Sequence, residues 1–501
     1  MFKSTIQVTL FSILGIVINF VTQLLLAYYF GATQDRDAYF AALTIPAYLT
    51  ALFNGSVGMM LLPFLVKYQT QHKHDETIRF TSSVINFCMV LMACIICIAC
   101  VLAAPVMHIM VPSSKPFFLE KSIYLFRIQM LSIFFVVISN LLGSIFQSQH
   151  SFFIPAIFPV ISSFITLIFV SAFSSIMGIN SLAYGTLAGA VISFLFIAVN
   201  VLKRFHYHWN LSLIQPGLKS ILLASLPLFT AGILFRATTV FERFLAARLP
   251  EGSLSYLGTG NQIIVILSTI VSGGIATTSF PLLSRNWSEN DLLLLEKNFS
   301  RVISLIILIV FPMIIIFVVN GMDIITVLFQ RGAFIAKDTR ALYLTLLAMM
   351  GYFLFGSMGN VVARMLYLSQ NTRASAVIAV IELLVYLSCA LLLSRIYGFV
   401  GLALSLSIST AINIIISLVF IRKKIIDLDI SLLLSRVGTI VLLSAIVLLL
   451  VFLANKYFLF QVNGFLRSVI TGLLVACLYW LLLKRVTKGE FFHSIIGVIK
   501  K

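Results

Sequence analysis

The sequence predicts an all-α integral membrane protein of about fourteen transmembrane helices, arranged as two pseudo-twofold-related six-helix lobes plus two extra C-terminal helices. Its 501 residues are 60% hydrophobic and only 10% charged, and the mean hydropathy is +1.10. A water-soluble protein has too little interior for so much apolar surface, so the solvent of this chain is lipid. Long apolar runs and an internal duplication supply the helix count and the two lobes.

Apolar runs of about 20 residues or more, separated by short polar loops, define the predicted spans. Their limits are 5–29, 38–66, 80–111, 124–148, 152–177, 181–202, 219–249, 255–283, 299–320, 338–367, 374–394, 399–421, 437–455 and 464–483. The first run is too long for the apolar core of a signal peptide, so we expect it to be retained as a helix.

Two segments of the chain repeat one another. Asn54–Leu65 (NGSVGMMLLPFL) aligns without a gap with Ser272–Leu283 (SGGIATTSFPLL), and FQSQ at Phe146–Gln149 matches YLSQ at Tyr367–Gln370. Duplication in a membrane chain is typical of transporters, in which two half-bundles surround one pathway. We therefore predict a first lobe over 1–205 with spans 1–6 and a second over 206–424 with spans 7–12. Residues 425–501 add spans 13 and 14 and a cytoplasmic tail.

The basic residues orient the chain, because Lys and Arg favour cytoplasmic loops. With both termini cytoplasmic, inward-facing segments hold 20 of the 34 Lys and Arg residues and outward-facing segments hold 12, while Arg236 and Arg364 lie within spans. We therefore expect both termini in the cytoplasm. The net charge of +18 then reflects topology and contact with anionic lipid headgroups, so no nucleic-acid partner is expected.

Ionisable residues inside the spans are the first candidates for function. Each costs roughly 2.5–3.5 kcal/mol to insert, so it normally faces a cavity or a partner. Arg236 and Arg243 in span 7 are seven residues apart and share a helix face. With Glu242 they could line a cavity for an anionic substrate. Alternatively, span 7 extends past the bilayer and places Glu242 and Arg243 at the outer interface.

Two further spans each carry one ionisable residue. Arg364 in span 10 could contact the cavity or extend to the cytoplasmic interface. Glu382 in span 11 could pair with an Arg, relay a proton or bind a cation, or it could form an interhelical hydrogen bond while protonated. The cluster Asp35-Arg36-Asp37 opens span 2, where acidic residues interact favourably with the helix dipole.

The duplicated segments carry matched glycines and prolines. Glycines allow close helix approach or bending, and a proline removes a backbone donor. Flexible positions matched in both lobes would suit rocking between inward-open and outward-open conformations. Close helix packing explains the same glycines and prolines equally well. The hinge or packing candidates are Gly55, Gly58, Pro63, Gly273, Gly274 and Pro281.

Motifs that would indicate an enzyme are missing from the sequence. It has no Walker A motif, no metalloprotease histidine pattern and no Ser/His/Asp set. Cys94, Cys97 and Cys100 recur every three residues on one apolar helix, but no His or carboxylate accompanies them, so packing is favoured over a metal site. We expect a transporter that needs no cofactor or metal.

Five segments resemble the MurJ/MviN lipid II flippases in the same order and with similar spacing. They are YFGATQDRDAYFAALTIP at 29–46, ERFLAARLPEGSLSYL at 242–257, GGIATTSFPLLSR at 273–285, LFQRGAFIAKDT at 328–339 and ARMLYLSQNTRASA at 363–376. The resemblance implies the fold of the multidrug/oligosaccharidyl-lipid/polysaccharide exporters, with spans 13 and 14 forming a groove for a lipid tail. It also implies a bacterial inner-membrane protein of peptidoglycan synthesis and cell-shape maintenance. Such a protein flips an undecaprenyl-pyrophosphate-linked glycan to the outer leaflet by alternating access.

The chain departs from this family where the family carries charge. Thr22 and Gln23 stand at its Arg-Asp pair, Leu49-Thr50-Ala51 at its Leu-Arg-Arg, and Gly258–Gln262 at its Tyr-Ala-Asp-Arg. The acids at Asp37 and Glu242 are retained, and other arginines could partly substitute for those lost. The candidate head-group contacts are Asp37, Arg236, Glu242, Arg243, Arg364 and Glu382.

Several functions remain open at the level of sequence. Lipid II is the first substrate candidate, and another lipid-linked oligosaccharide, as for O-antigen, capsule or exopolysaccharide, is the second. A cation-coupled multidrug antiporter would use Glu382 or Asp37, and a non-transporting membrane scaffold is the contrasting class. Membrane lipids and cell-wall synthesis proteins are the expected partners. Coupling to an ion or to the membrane potential would fit a transporter, and the sequence does not identify the ion.

Overall fold

The computed structural model describes a chain that is helical throughout, with no strand in any described range. The described residues are 2–55, 61–62, 64–66, 74–111, 116–149, 151–204, 232–233, 236–368, 372–426, 428–457 and 464–486. Its helices are α1 (Phe2–Phe30), α2 (Gln34–Phe53), α3 (His74–Val101), α4 (Ala103–Met110), α5 (Pro116–Ser148), α6 (Phe153–Met177), α7 (Asn180–Arg204), α8 (236–246), α9 (Ser253–Ser268), α10 (Gly274–Ser288), α11 (Leu292–Phe329), α12 (Ala336–Ala348), α13 (Met350–Leu368), α14 (Thr372–Tyr397), α15 (Phe399–Lys424), α16 (Ile430–Tyr457) and α17 (Gly464–Val486).

The prediction of an all-α membrane protein is confirmed. Among the described residues, 11 helical segments are long and apolar enough to cross a bilayer, and a bent helix pair would make 12. Predicted spans 38–66 and 219–249 fall partly outside the described residues. The count of fourteen therefore stays a prediction.

The bent pair is α12 and α13, which meet at 45° where the sequence predicts one unbroken span over 338–367. The bend has a local cause. The Ser407 hydroxyl donates to the Ala348 carbonyl (2.6 Å) and accepts from the Tyr352 amide (2.9 Å). A helix would join those two backbone groups directly, so a side chain from α15 has inserted into the ladder. This interhelical contact could not be read from the apolar pattern of span 10.

The chain divides into two compact units. Unit 1 comprises Met1–Ser255 with Gly332–Phe334, and unit 2 comprises Tyr256–Arg331 with Ile335–Lys501. In unit 1, α5 is the central helix: it contacts α2, α3 and α7, and most of it is buried. In unit 2, α11 has the corresponding role, because it contacts α10, α12, α13, α16 and α17.

Helices α6 and α7 pack closely because small residues face each other. Gly185 and Gly189 form a Gly-x-x-x-Gly pair on α7, a spacing that lets transmembrane backbones approach. A methyl group on Gly189 would lie 2.5 Å from the Ser162 carbonyl oxygen of α6. The Thr166 hydroxyl lies 3.2 Å from the Gly185 carbonyl oxygen, to which it donates across the same interface.

Polar contacts hold the two C-terminal helices to α11. Arg467 of α17 donates to Asp323 of α11, with Nε 2.7 Å from a carboxylate oxygen. The Asn455 amide of α16 donates to Thr471 (3.0 Å) and Asn320 (3.3 Å). Such bonds hold strongly in an apolar medium, because lipid offers the separated groups no replacement partners.

The duplication extends to backbone geometry. Gly178 and Gly398, 220 residues apart, end α6 and α14 with φ near +57° and +58°. Their amides donate to the Ser174 and Ser394 carbonyls, respectively, at 3.1 and 2.9 Å. Both conformations belong to the left-handed half of backbone space, which glycine adopts most readily. The same turn has therefore been kept in both halves of the chain.

Replacing Gly189 with Ala should lower the thermal stability of the purified protein. The new methyl group would press on backbone rather than on a movable side chain, and overpacking of this kind costs about 1–3 kcal/mol. The matched control is Gly472→Ala in α17, where a methyl group would meet nothing within 4 Å. Thermal unfolding in detergent should show a lower Tm for Gly189→Ala alone, and equal Tm values for both variants would contradict this packing.

Candidate functional site

Two acidic side chains cap two helix starts reciprocally in unit 1. Asp37, in the first turn of α2, accepts hydrogen bonds from the Gly252 amide (2.7 Å), the Ser255 amide (2.8 Å) and the Ser255 hydroxyl (2.6 Å). In return, Glu251 accepts from the Gln34 amide (2.8 Å) at the start of α2. We call these five residues the carboxylate clasp.

The clasp follows from the free amides at a helix start. The first four N–H groups of a helix have no partner within the helix, and negative charge there also interacts favourably with the helix dipole. Asp37 is 5% exposed, so the bonds are formed away from bulk water and are strong. The sequence suggested that Asp37 stabilises its own helix, whereas it caps α9. The tertiary pairing that brings α2 to α9 carries no local sequence signal.

A second close approach adjoins the clasp. The Ala333 amide donates to the Tyr28 carbonyl (2.8 Å) at the end of α1. Gly31 and Gly332 both have positive φ, and a methyl group on either would lie within 2.5 Å of a carbonyl oxygen of the other segment. Arg36 is buried and donates to the Gly31 carbonyl (2.9 Å). The turn between α1 and α2 is thus fixed from both sides.

Arg236 and Arg243 both face α2. The Arg243 guanidinium donates to the Phe40 carbonyl (2.7 Å) and stacks over the Phe40 ring at 5.3 Å. Arg236 is exposed and lines a cavity of about 500 Å³. Glu242, between them, is 3% exposed. Arg243 is therefore engaged with backbone, while Arg236 has its charge in open space.

The Arg236 cavity is lined by small and polar residues of α2 and the turn that follows. Its other lining residues are Ala47, Thr50, Ala51, Asn54 and Gly55. Asn54 supplies an uncharged hydrogen-bonding group beside the Arg236 charge, and the Thr50 hydroxyl, which donates to the Pro46 carbonyl (3.0 Å), can still accept. Because a concave site with a few polar groups is the usual form of a binding site, this cavity is the candidate for an anionic ligand.

Arg364 and Glu382 occupy protein contacts in unit 2. Arg364 donates to the Ala276 carbonyl (2.6 Å) and lies over the Phe280 ring at 5.3 Å. Glu382 of α14 accepts from the Asn413 amide of α15 (2.6 Å). This is the interhelical bond that the sequence left open for Glu382. Arg364 and Glu382 therefore lie apart from the other candidates, three of which share α8: Arg236, Glu242 and Arg243.

The repeated glycine segments begin at wide helical turns. The helix takes the π form at Asn54 and Gly55 after α2, and again over Thr269–Gly273 between α9 and α10. Gly274 is the first residue of α10 and Pro281 lies inside that helix, while Gly58 and Pro63 lie outside the described residues. In unit 2 the Asn360 amide donates to the Ser272 hydroxyl (2.6 Å) at the π turn. Sequence reasoning missed this contact.

Comparison with known proteins decides the family. The family model described as lipid II flippase MurJ matches residues 26–495. The chain belongs to the MurJ family. A probable lipid II flippase MurJ of Buchnera aphidicola subsp. Acyrthosiphon pisum is 23% identical over 484 residues, which are 93% of each chain. The family resemblance predicted from the five segments is thereby confirmed, and the chain is a multi-pass membrane protein of a transporter family.

Solved structures show the same fold. The inward closed conformation of a lipid II flippase MurJ matches with a TM-score of 0.83 at 21% identity, covering 98% of this chain and 100% of that one. An inward-facing multidrug resistance MATE family transporter of the MOP superfamily matches at 0.68 with 16% identity, covering 82% and 94%. The fold is therefore shared beyond the MurJ family.

A cysteine at position 236 should react with a water-soluble thiol reagent faster than a cysteine at 243. Arg236 is exposed in its cavity, whereas Arg243 packs on Phe40. Each variant would be made in a background without the six native cysteines, and labelling rates would be followed by mass spectrometry. Unfolded protein provides the control, since both sites should then react alike. Equal rates in the folded protein would show that Arg236 does not face an open cavity.

Proposed function

We propose that this chain translocates lipid II, the undecaprenyl-pyrophosphate-linked precursor of peptidoglycan, from the inner to the outer leaflet by alternating access. The observation that carries the proposal is the pairing of an open, arginine-lined cavity with a reciprocal clasp at one end of the same helix, α2. Membership of the MurJ family supplies the substrate class. An anion site and a closure that can open are what such a cycle requires.

The proposed topology has fourteen spans, two six-helix lobes and cytoplasmic termini. The described helices supply up to 12 of these spans. The remaining positions are 38–66, which α2 begins, and 219–249, which α8 ends. With this topology the turns at Gly31, Gly252 and Gly332 all lie on the outer side. The carboxylate clasp is then an outer closure between the predicted lobes 1–205 and 206–424.

Arg236 is the proposed contact for the pyrophosphate. A guanidinium is always charged and matches phosphate oxygens with two parallel donors. Asn54 lies in the same lining and can donate to a further phosphate oxygen, whereas the Thr50 hydroxyl already donates to the Pro46 carbonyl (3.0 Å). The family's arginine at the Thr50 position is replaced here by a hydroxyl, so Arg236 carries more of the charge compensation than one member of a larger cluster would.

The clasp can open because water can replace its bonds. In the membrane interior a broken hydrogen bond leaves both groups unpaired, which is costly. At the outer surface, Asp37 and the amides at 252 and 255 would be hydrated after separation. Each charge-assisted bond contributes about 1.5–3 kcal/mol net, and the clasp holds three to Asp37. Opening therefore requires compensation, which bound head group in the cavity could supply.

The π turns are the proposed hinges. A π turn leaves the regular i→i−4 bonding locally and is common at functional sites in helices. The two turns fall at the start of the two repeated segments, with Asn54 and Gly55 in one and Gly273 in the other. Bending at equivalent points would move both lobes in the same way. We propose that an ion gradient or the membrane potential drives the cycle, with Glu382 as the candidate cation or proton site.

A second substrate is favoured by one specific observation. Thr22, Gln23 and Thr50 are uncharged where the family resemblance places charges. A less cationic cavity suits a different lipid-linked oligosaccharide, as for O-antigen, capsule or exopolysaccharide. Both substrates share the pyrophosphate and the prenyl tail, so the lost charges can favour one over the other only through the charge of the part beyond the pyrophosphate.

Purified protein in liposomes should move labelled lipid II between leaflets, and Arg236→Ala should slow this movement at least about tenfold because an ionic hydrogen bond is lost. Arg236→Lys should retain more activity than Arg236→Ala. The matched control is Arg285→Ala, which removes an exposed arginine of α10 paired with Glu289 just after that helix and should leave the rate unchanged.

The same liposomes separate the functional classes. A lipid-linked oligosaccharide moved faster than lipid II would favour the second substrate. If the wild type moved neither lipid, flipping would be rejected and the scaffold class favoured. A normal rate in Arg236→Ala with an active wild type would remove Arg236 from the site.

A further inference from the structure

A second cavity in unit 1 has no charged side chain among the described residues that line it. It has a volume of about 370 Å³ and lies between one face of α1, the C-terminal end of α5 and the first turns of α6. A volume of this order is enough for a small ligand group. Its described lining residues do not overlap with those of the Arg236 cavity. The two cavities differ in chemistry, because the described lining of this one is apolar or neutral polar.

Three neutral polar side chains converge on this cavity without protein partners. They are Asn19 of α1, Gln147 of α5 and Ser163 of α6. Within the described part of the chain, none of the three side chains makes a hydrogen bond to another protein group. By contrast, Ser12 in the same lining already donates to the Val8 carbonyl at 2.9 Å. Amide and hydroxyl groups left open in this way can both donate and accept.

The remaining lining is apolar and includes aromatic rings. Phe11 and Phe152 line the cavity, and Phe153 packs edge-on against Phe11 at 5.5 Å between ring centroids. Gly15 leaves space on α1, since a methyl group there would meet only Val160, at 3.8 Å. A site of this kind fits a ligand with apolar faces and several neutral hydrogen-bonding groups. A phosphate is a poorer match, because the described lining residues include no cation.

We propose that this cavity is a subsite for an uncharged sugar, formed by Asn19, Gln147 and Ser163. An N-acetyl sugar matches the lining, because its hydroxyl and amide groups pair with the three side chains and its ring face packs on Phe11 or Phe152. The inference rests on the proposed function, which supplies a glycan-bearing ligand. The two cavities then bind different parts of one ligand: the Arg236 cavity binds the pyrophosphate, and this second cavity binds the glycan.

The test compares two lipids and a free sugar on the full-length protein in nanodiscs. The probes are lipid II, undecaprenyl pyrophosphate and diacetylchitobiose, an uncharged N-acetyl disaccharide. The double variant Asn19→Leu/Gln147→Leu should weaken binding of lipid II and of the disaccharide at least about tenfold, because the hydroxyl and amide groups of the sugar lose their hydrogen-bond partners. Binding of undecaprenyl pyrophosphate should not change. Ser163→Leu, which fills the cavity, should act in the same direction.

The matched control is Asn200→Leu, since Asn200 of α7 donates only to the Phe196 carbonyl of its own helix. It should bind all three probes like the wild type. Equal weakening of both lipids in the double variant, or no weakening of either, would overturn the sugar subsite. A wild type that binds the disaccharide through these residues but binds neither lipid would support the subsite and reject the proposed function.

Discussion

The free amides at two helix starts impose the constraint on which this site depends. Helices α2 and α9 each begin with N–H groups that need partners, and a helix cannot supply partners for its own first amides. Two acidic residues supply these partners reciprocally. Asp37 of α2 caps the start of α9, and Glu251, which precedes α9, caps the start of α2. The exchange fixes the turn between α1 and α2 against the segment that follows α8. It also positions α2, whose other end lines the Arg236 cavity.

Charged side chains within the predicted spans likewise need partners from the protein, and this need explains the contacts that three of them make. Arg243 and Arg364 donate to backbone carbonyls of neighbouring helices, and Glu382 accepts from an asparagine amide. These charges hold helices together and are not available to a ligand in this conformation. Arg236 differs because it faces open space. Of these three arginines, Arg236 is thus the one left open to a ligand, as the proposed anion site requires.

The all-helical membrane fold could be predicted from the sequence, because the length of an apolar run is a local property of the chain. The resemblance over five segments correctly indicated the MurJ family, and glycine positions such as 178 and 398 mark real turns. Interhelical contacts were not predictable. The bend at Ala348 depends on Ser407, which lies far away in sequence, and the role of Asp37 depends on Ser255. In the sequence, an acidic residue at a helix start gives the same pattern whether its carboxylate caps its own helix or another one.

The clasp offers the most direct test of alternating access. Cysteines replacing Gln34 and Glu251, in a background without native cysteines, would place one thiol on each side of the closure while leaving Asp37 intact. A short thiol cross-linker should trap the closed form. We expect the trapped protein to bind lipid II but to stop flipping it in liposomes, and reduction should restore the rate of the untreated double variant. Flipping at an undiminished rate while the cross-link is intact would contradict the claim that this closure must open.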